Sequence, residues 1–199
     1  VTAGTYSVSE TVPTNWEMTK NTCKDVVVAN GQTATCEIEN TYMYAKLTVI
    51  KDVKNDNGGT KQVGDFKLYV NGSPVISGVK NDYPINTLLS LTEDNLSGYH
   101  ASVWGDDCSE DGKITLKPGD DKTCTITNVD IQPKLTVNKV VVGGDKKIVD
   151  FPLYVGSIQV VSGVENGFDA GSYVISETNQ AGYSPSFSGA CDDQGNISL

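Results

Sequence analysis

Short runs of alternating apolar and polar residues fill the chain. Between residues 47 and 129 they are LTVIKDV, DFKLYV, SPVISGV, TLLSLTE, YHASVW, KITL and TCTITNV, separated by the turn-rich NDNGG, VNGS, NLSG, DDCSEDG and KPGDDK. Period-two alternation is the signature of a strand with one buried face, and Gly, Asn, Asp and Pro supply the turns between strands. No helical periodicity interrupts the pattern. Seven short strands in about 85 residues predict an all-β fold of immunoglobulin-like, Greek-key β-sandwich type.

The alternation carries polar residues inward. In KLTVIKDV, Leu47, Val49 and Lys51 share one face; in TLLSLTE, Leu89, Leu91 and Glu93 do; in TCTITN, Cys124, Ile126 and Asn128 do. A lysine, a glutamate and an asparagine therefore point to the same side as the predicted core.

The pattern also repeats. YSVSETVPTNW at 6, LLSLTEDNLSGY at 88 and YVISETNQAGY at 173 align, as do TCEIENTYMYAKLTVIKDV with TCTITNVDIQPKLTVNKVV, and DFKLYVNGSPVISGV with DFPLYVGSIQVVSGV. Glu10, Glu93 and Glu177 lie 83 (93 − 10) and 84 (177 − 93) residues apart. A period of about 85 residues is a small domain rather than a solenoid turn. Residues 45–132 read as one complete repeat, 1–44 as the C-terminal half of another, and 133–199 as the N-terminal and middle part of a third, so that the chain is a window onto a longer array. Glu10 and Asn40 are then the surviving polar residues of the first set, and Lys139 and Glu177 those of the third. The short junction from Asp130 to Lys134, with Pro133, predicts closely spaced domains and a stiff rod.

The cysteines follow the repeat. Cys23 and Cys36, and again Cys108 and Cys124, bracket segments that read as two strands joined by a Gly-containing turn, which suits two disulfides. Zinc is the competing assignment, but there is no CxxC pair and only one histidine, His100. Disulfides place the chain in an oxidising, extracellular compartment. Cys191 aligns with Cys108, so its partner is expected beyond the end of the chain; an intermolecular bond is the alternative.

Composition narrows the function. A formal charge of −10 with only 15 basic residues in 199 argues against nucleic-acid binding. No apolar run is long enough to span a membrane, and the first residues do not read as a signal peptide. One histidine cannot build a conventional triad. No cofactor or metal is expected: the acidic turn with Asp106, Asp107, Glu110 and Asp111 lacks EF-hand spacing. Sequons at Asn71, Asn95 and Asn196 fall at predicted turns.

For the inward polar residues three arrangements are open. The first is a buried ion pair with an amide completing its hydrogen bonds; the second is exposure at strand ends, with Lys51 discouraging edge pairing. The third is chemical. Burial disfavours the charged forms of both amine and acid, so a neutral lysine can attack a carboxamide while the glutamic acid polarises the carbonyl and shuttles protons. The product is an amide between Lys51 and Asn128, with ammonia released.

The segment YxVSE followed by GY, the lysine-bearing first strand LTVxK and the terminal TN resemble the prealbumin-like B-type domains of bacterial surface collagen adhesins and pilus shaft proteins, the Cna B-type or SpaA-like domains. The resemblance covers the complete unit and the parts of its neighbours. It implies an autocatalytic isopeptide bond between Lys51 and Asn128 assisted by Glu93, with Glu10, Asn40, Lys139 and Glu177 as the incomplete flanking sets. It further implies a structural segment of a prokaryotic cell-surface fibre, stalk or filament, whose partners are neighbouring repeat domains or identical subunits. The alternative is an adhesin that holds a host or environmental protein or glycan through its loops. Trp16 and Trp104 fall in similar regions of their units, but Trp104 aligns with Phe187, which favours packing over ligand contact. A turnover enzyme is not expected, because the only reaction in view consumes its own side chains once.

Overall fold

Side chains that alternate between core and solvent need a partner sheet to bury the apolar face, and the chain supplies it with short strands and tight turns. The computed structural model describes residues 1–199. Along the chain run β1 (Gly4–Tyr6), β2 (Trp16–Asn21), β3 (Val26–Val28), β4 (Ile38–Tyr42), β5 (Tyr44–Lys54), β6 (Leu68–Val70), β7 (Ser73–Val75), β8 (Lys80–Pro84), β9 (Leu88–Glu93) and β10 (Tyr99–Ala101). There follow β11 (Gly105–Asp106), β12 (Lys113–Thr115), β13 (Asp121–Asp130), β14 (Lys134–Thr136), β15 (Leu153–Val155), β16 (Ile158–Val160), β17 (Glu165–Gly167), β18 (Ser172–Glu177) and β19 (Asn196–Ser198). Two single turns of 3-10 helix, Val63–Asp65 and Ile148–Asp150, are the only helical residues, so no helix is long and apolar enough to cross a membrane.

Between β5 and β13 the strands form two sheets. One has the order β10-β13-β5-β8 with β11 also on β13; the other has the order β12-β9-β6-β7. Leu47 and Val49 of the first sheet and Leu68, Val70, Leu89 and Leu91 of the second meet in one core cluster with Ile114, Leu116 and Ile126, each almost fully buried. Burying each such aliphatic side chain contributes about 1.5–3 kcal/mol. This is the sandwich that the alternation predicts.

The stretch holds nine strands instead of seven. β8 and β11 are the additions; β8, KNDYP, is mostly polar, with Tyr83 packed against the core. It forms because it lies at a sheet edge, where Lys80 bonds Asp121 at 2.6 Å and Asp82 bonds Lys46 at 2.8 Å. Charges and a terminal proline suit an edge and discourage further pairing. Of the expected strand YHASVW only Tyr99–Ala101 forms, as β10; the chain then turns Trp104 into the core, where it is 8% exposed, and β11 follows at Gly105–Asp106. The β6–β7 hairpin turns on Asn71 and Gly72, both at positive φ (49° and 78°), as an Asn-Gly two-residue turn requires.

Contacts group the chain into two compact units. Unit one comprises residues 1–51, 67–94 and 103–126; unit two comprises 52–66, 95–102 and 127–199. Besides the core above, unit one contains the pairs β1–β3 and β2–β4, the latter with a register shift between Met18 and Lys20. Both expected disulfides form there, Cys23–Cys36 and Cys108–Cys124. They do not join facing strands: of the four cysteines only Cys124 lies on a strand, so each bond pins a loop. In unit two, β16-β15-β18-β19 form one sheet and β14 pairs with β17. Its core is Leu153, Val155, Val160 and Phe168, with Leu135, Val137 and Tyr173 packed against it.

Candidate functional site

β5 carries Lys51 into the core as the end of the series Leu47, Val49, Lys51, whose members are 0%, 1% and 4% exposed. Its backbone N–H donates to Ser77 Oγ at 2.8 Å, which fixes the strand at that residue. The Lys51 Nζ lies 3.0 Å from Glu93 Oε2, and both side chains are withdrawn from solvent, at 0% and 5% exposure. Neither carboxylate oxygen of Glu93 accepts a directed hydrogen bond. The pair is thus a close charge contact in a dry site, with acceptor capacity on the acid left unused. The Lys51 ammonium also donates to the Ile126 carbonyl at 3.4 Å. Asn128 follows two positions later on β13, on the same face as Cys124 and Ile126, and is 2% exposed. All three predicted side chains are buried, as alternation requires, and Lys51 and Glu93 are in contact.

The flanking sets show the same preferences. Lys139 Nζ is 2.5 Å from Glu177 Oε2, with the side chains 17% and 7% exposed, and it stands 4.5 Å over the ring of Phe151. As at Lys51, the lysine backbone N–H donates to a serine hydroxyl, Ser162 Oγ, at 2.9 Å. At the N-terminal end of the chain, Asn40 Nδ2 donates to Glu10 Oε1, while Glu10 remains exposed. A glutamate therefore meets a lysine at two places and an asparagine at a third.

The GY of the glutamate segment acquires a physical role. Gly98 and Gly182 both take φ of 82°, and Asn15 occupies the corresponding position at 69°. The tyrosine that follows reaches the loop after the lysine strand: Lys61 N donates to Tyr99 Oη at 3.0 Å, and Lys146 N to Tyr183 Oη at 3.2 Å. Each ring also packs edge-on against a phenylalanine, Phe66 or Phe151.

One buried polar residue escapes the sequence analysis. Asp130, 6% exposed, accepts from the backbone N–H groups of Asp56, Asn57 and Gly59 at 2.7–2.9 Å and so organises the NDNGG turn. Burial pushes its carboxyl up, but the hydrogen bonds from Gly59, Asn57 and Asp56 outweigh it and hold the group below the ordinary aspartate value. The signal was available, since Asp130 continues the inward series Cys124, Ile126, Asn128.

No group of three or more His, Cys, Asp or Glu side chains is arranged to hold a metal ion. In the acidic turn, Asp107 is bonded to Thr123 N and Lys122 Nζ, and Asp111 to Lys113 Nζ and Ser109 Oγ. Trp104 is core packing, whereas Trp16, 40% exposed, stacks edge-on against Tyr42. No curated protein matches the chain. Residues 43–126 match the family model of a prealbumin-like fold domain of SpaA type, so the two-sheet stretch that holds Lys51, Glu93 and the Cys108–Cys124 disulfide is similar to a SpaA-like prealbumin-like domain.

Proposed function

We propose that the chain is a segment of an extracellular, prokaryotic cell-surface fibre built from tandem domains, in which Lys51 and Asn128 join through an isopeptide bond formed with the help of Glu93. The repeats run 1–44, 45–132 and 133–199, only the second being complete. The observation that carries this is the dry Lys51–Glu93 contact, in which the acid retains unused acceptor sites. Support also comes from the burial of Asn128 two residues beyond the carbonyl that Lys51 bonds, and from the Glu10–Asn40 contact. The SpaA-type match and the two disulfides fit a structural role outside the cell.

In the reaction, Lys51 passes its proton to Glu93, and the neutral Nζ attacks Asn128 Cγ. Glu93 then delivers a proton toward the departing amide nitrogen. The C–NH2 bond breaks, ammonia leaves, and a secondary amide remains. No group turns over, so the chemistry is a single maturation step. Neighbouring repeats or identical subunits are the partners in the fibre. The corresponding flanking residues are Asn40 with Glu10, and Lys139 with Glu177.

The test is the intact mass of the reduced chain, followed by peptide mapping. Wild type is expected one ammonia lighter than its sequence, with the missing mass in a cross-linked peptide containing Lys51 and Asn128. Glu93→Ala and Lys51→Arg are expected at full mass. An unmodified wild type would refute the bond.

A further inference from the structure

The corner of the glutamate segment holds the residue that follows a last strand. Asn15 and Gly98, 83 residues apart (98 − 15), both take positive φ, and the carbonyl of each accepts the N–H of the residue after β4 or β13, Met43 at 2.8 Å and Ile131 at 2.9 Å. The segment leaving each repeat is thereby tied to that repeat's own corner. A second contact falls on the turn that enters β9 or β18. Within unit one, Asn86 Nδ2 donates to Asn15 Oδ1 at 2.7 Å, and Asn15 Nδ2 donates to the carbonyl of the buried Ile85 at 3.4 Å. Within unit two the same turn stands 85 residues on (171 − 86), as Ala170 and Gly171. Its corner residue, Gly98, has no side chain to offer, and the contact passes to the NDNGG turn: the Ala170 N–H donates to Asn57 O at 2.7 Å. Gly58 permits the approach, because its φ is 81° and a Cβ there would lie 2.6 Å from Ala170 O. Asp130, the last residue of β13, holds this turn through the N–H groups of Asp56, Asn57 and Gly59. Turn and departing segment are therefore anchored to one side chain.

We infer that the turn entering β9 or β18 is a seat on which the preceding repeat docks, through Asn15 at the first joint and through Asn57 and Gly58 at the second. This rests on the tandem-domain proposal above. Domains joined by a short linker move relative to one another unless a contact opposes it. Here directed hydrogen bonds hold the linker at its start and the next repeat at its seat. Corner and seat are also matched in kind, Asn15 with Asn86 and Gly98 with Gly171, and the two glycines line one cleft. Asn15 uses both functions of its amide, donating to Ile85 and accepting from Asn86. Opposite a glycine it would keep only the main-chain acceptor, and an asparagine seat would find no side-chain partner on Gly98. The partner each seat fits is a preceding repeat whose corner carries the matching residue, so the joint specifies which repeat follows which.

The experiment places spin labels across each joint of the full chain, on unnatural amino acids so that the disulfides stay intact, at the exposed positions Val27 with Lys117 and His100 with Gln159. Double electron–electron resonance is expected to give one narrow distance distribution for each pair. Asn86→Gly and Asn15→Ala each broaden the first distribution about two-fold or more and leave the second unchanged. Gly58→Val does the reverse, as does Ala170→Pro, which removes the donating N–H without altering the NDNGG turn. Two variants at each joint separate a lost contact from a misfolded turn. Broad wild-type distributions, or narrow ones that all four variants preserve, overturn the joint. The intact mass is read independently: narrow distributions in a chain of full mass keep the joint and count against the isopeptide, and broad ones in a chain that has lost ammonia do the opposite.

Discussion

Lys51 keeps its ammonium out of solvent because Glu93 supplies the opposite charge at 3.0 Å. Removing one partner strands the other in a dry site, whereas removing both leaves an apolar core. Lys51→Met is therefore expected to be less stable than Lys51→Met/Glu93→Leu, by about 3 kcal/mol in urea denaturation; neither variant can form the isopeptide, so the comparison isolates the buried charge. Asp130 gives a pH-dependent counterpart. Its folded carboxyl holds a proton less tightly than the unfolded one, so the stability it contributes is fully present above the unfolded pKa of about 3.9. That contribution is lost as pH falls through the lower folded value. Wild type should exceed Asp130→Asn in Tm above pH 5, and the difference should shrink as the pH drops below about 4.

At the scale of elements, the loop–strand closures matter more than single strands. The Leu91 N–H donates to Gly112 O, and a Cβ on Gly112, whose φ is 74°, would come within 2.6 Å of Leu91 O. Gly112→Ala is expected to cost on the order of 1–3 kcal/mol in thermal or chemical unfolding. The Cys108–Cys124 bond closes a 16-residue separation, and its replacement by two serines should lower stability by about 3 kcal/mol. β8 illustrates what alternation misses: a strand held by ladder bonds and surface ion pairs, with Tyr83 against the core, leaves too little apolar trace in the sequence. The run YHASVW illustrates the converse: only Tyr99–Ala101 forms a strand, because Trp104 is turned into the core.

At the scale of the whole molecule, a Lys51–Asn128 amide would route tension through covalent bonds. Closing 77 residues (128 − 51) also restricts the unfolded chain by roughly 4–5 kcal/mol. In single-molecule pulling from the two chain ends, wild type should show no extension from the segment between residues 51 and 128, and Glu93→Ala should regain it. The sequence by itself determined which residues face inward, which cysteines pair, and the near-85-residue recurrence, because period-two alternation and spacing are properties of the local chain. Only the tertiary structure decided that Lys51 meets Glu93 and that Asp130 gathers the N–H groups of a turn 70-odd residues away. Those depend on which distant strands become neighbours, and pairing energy between elements is shared across the fold instead of being written in any one of them.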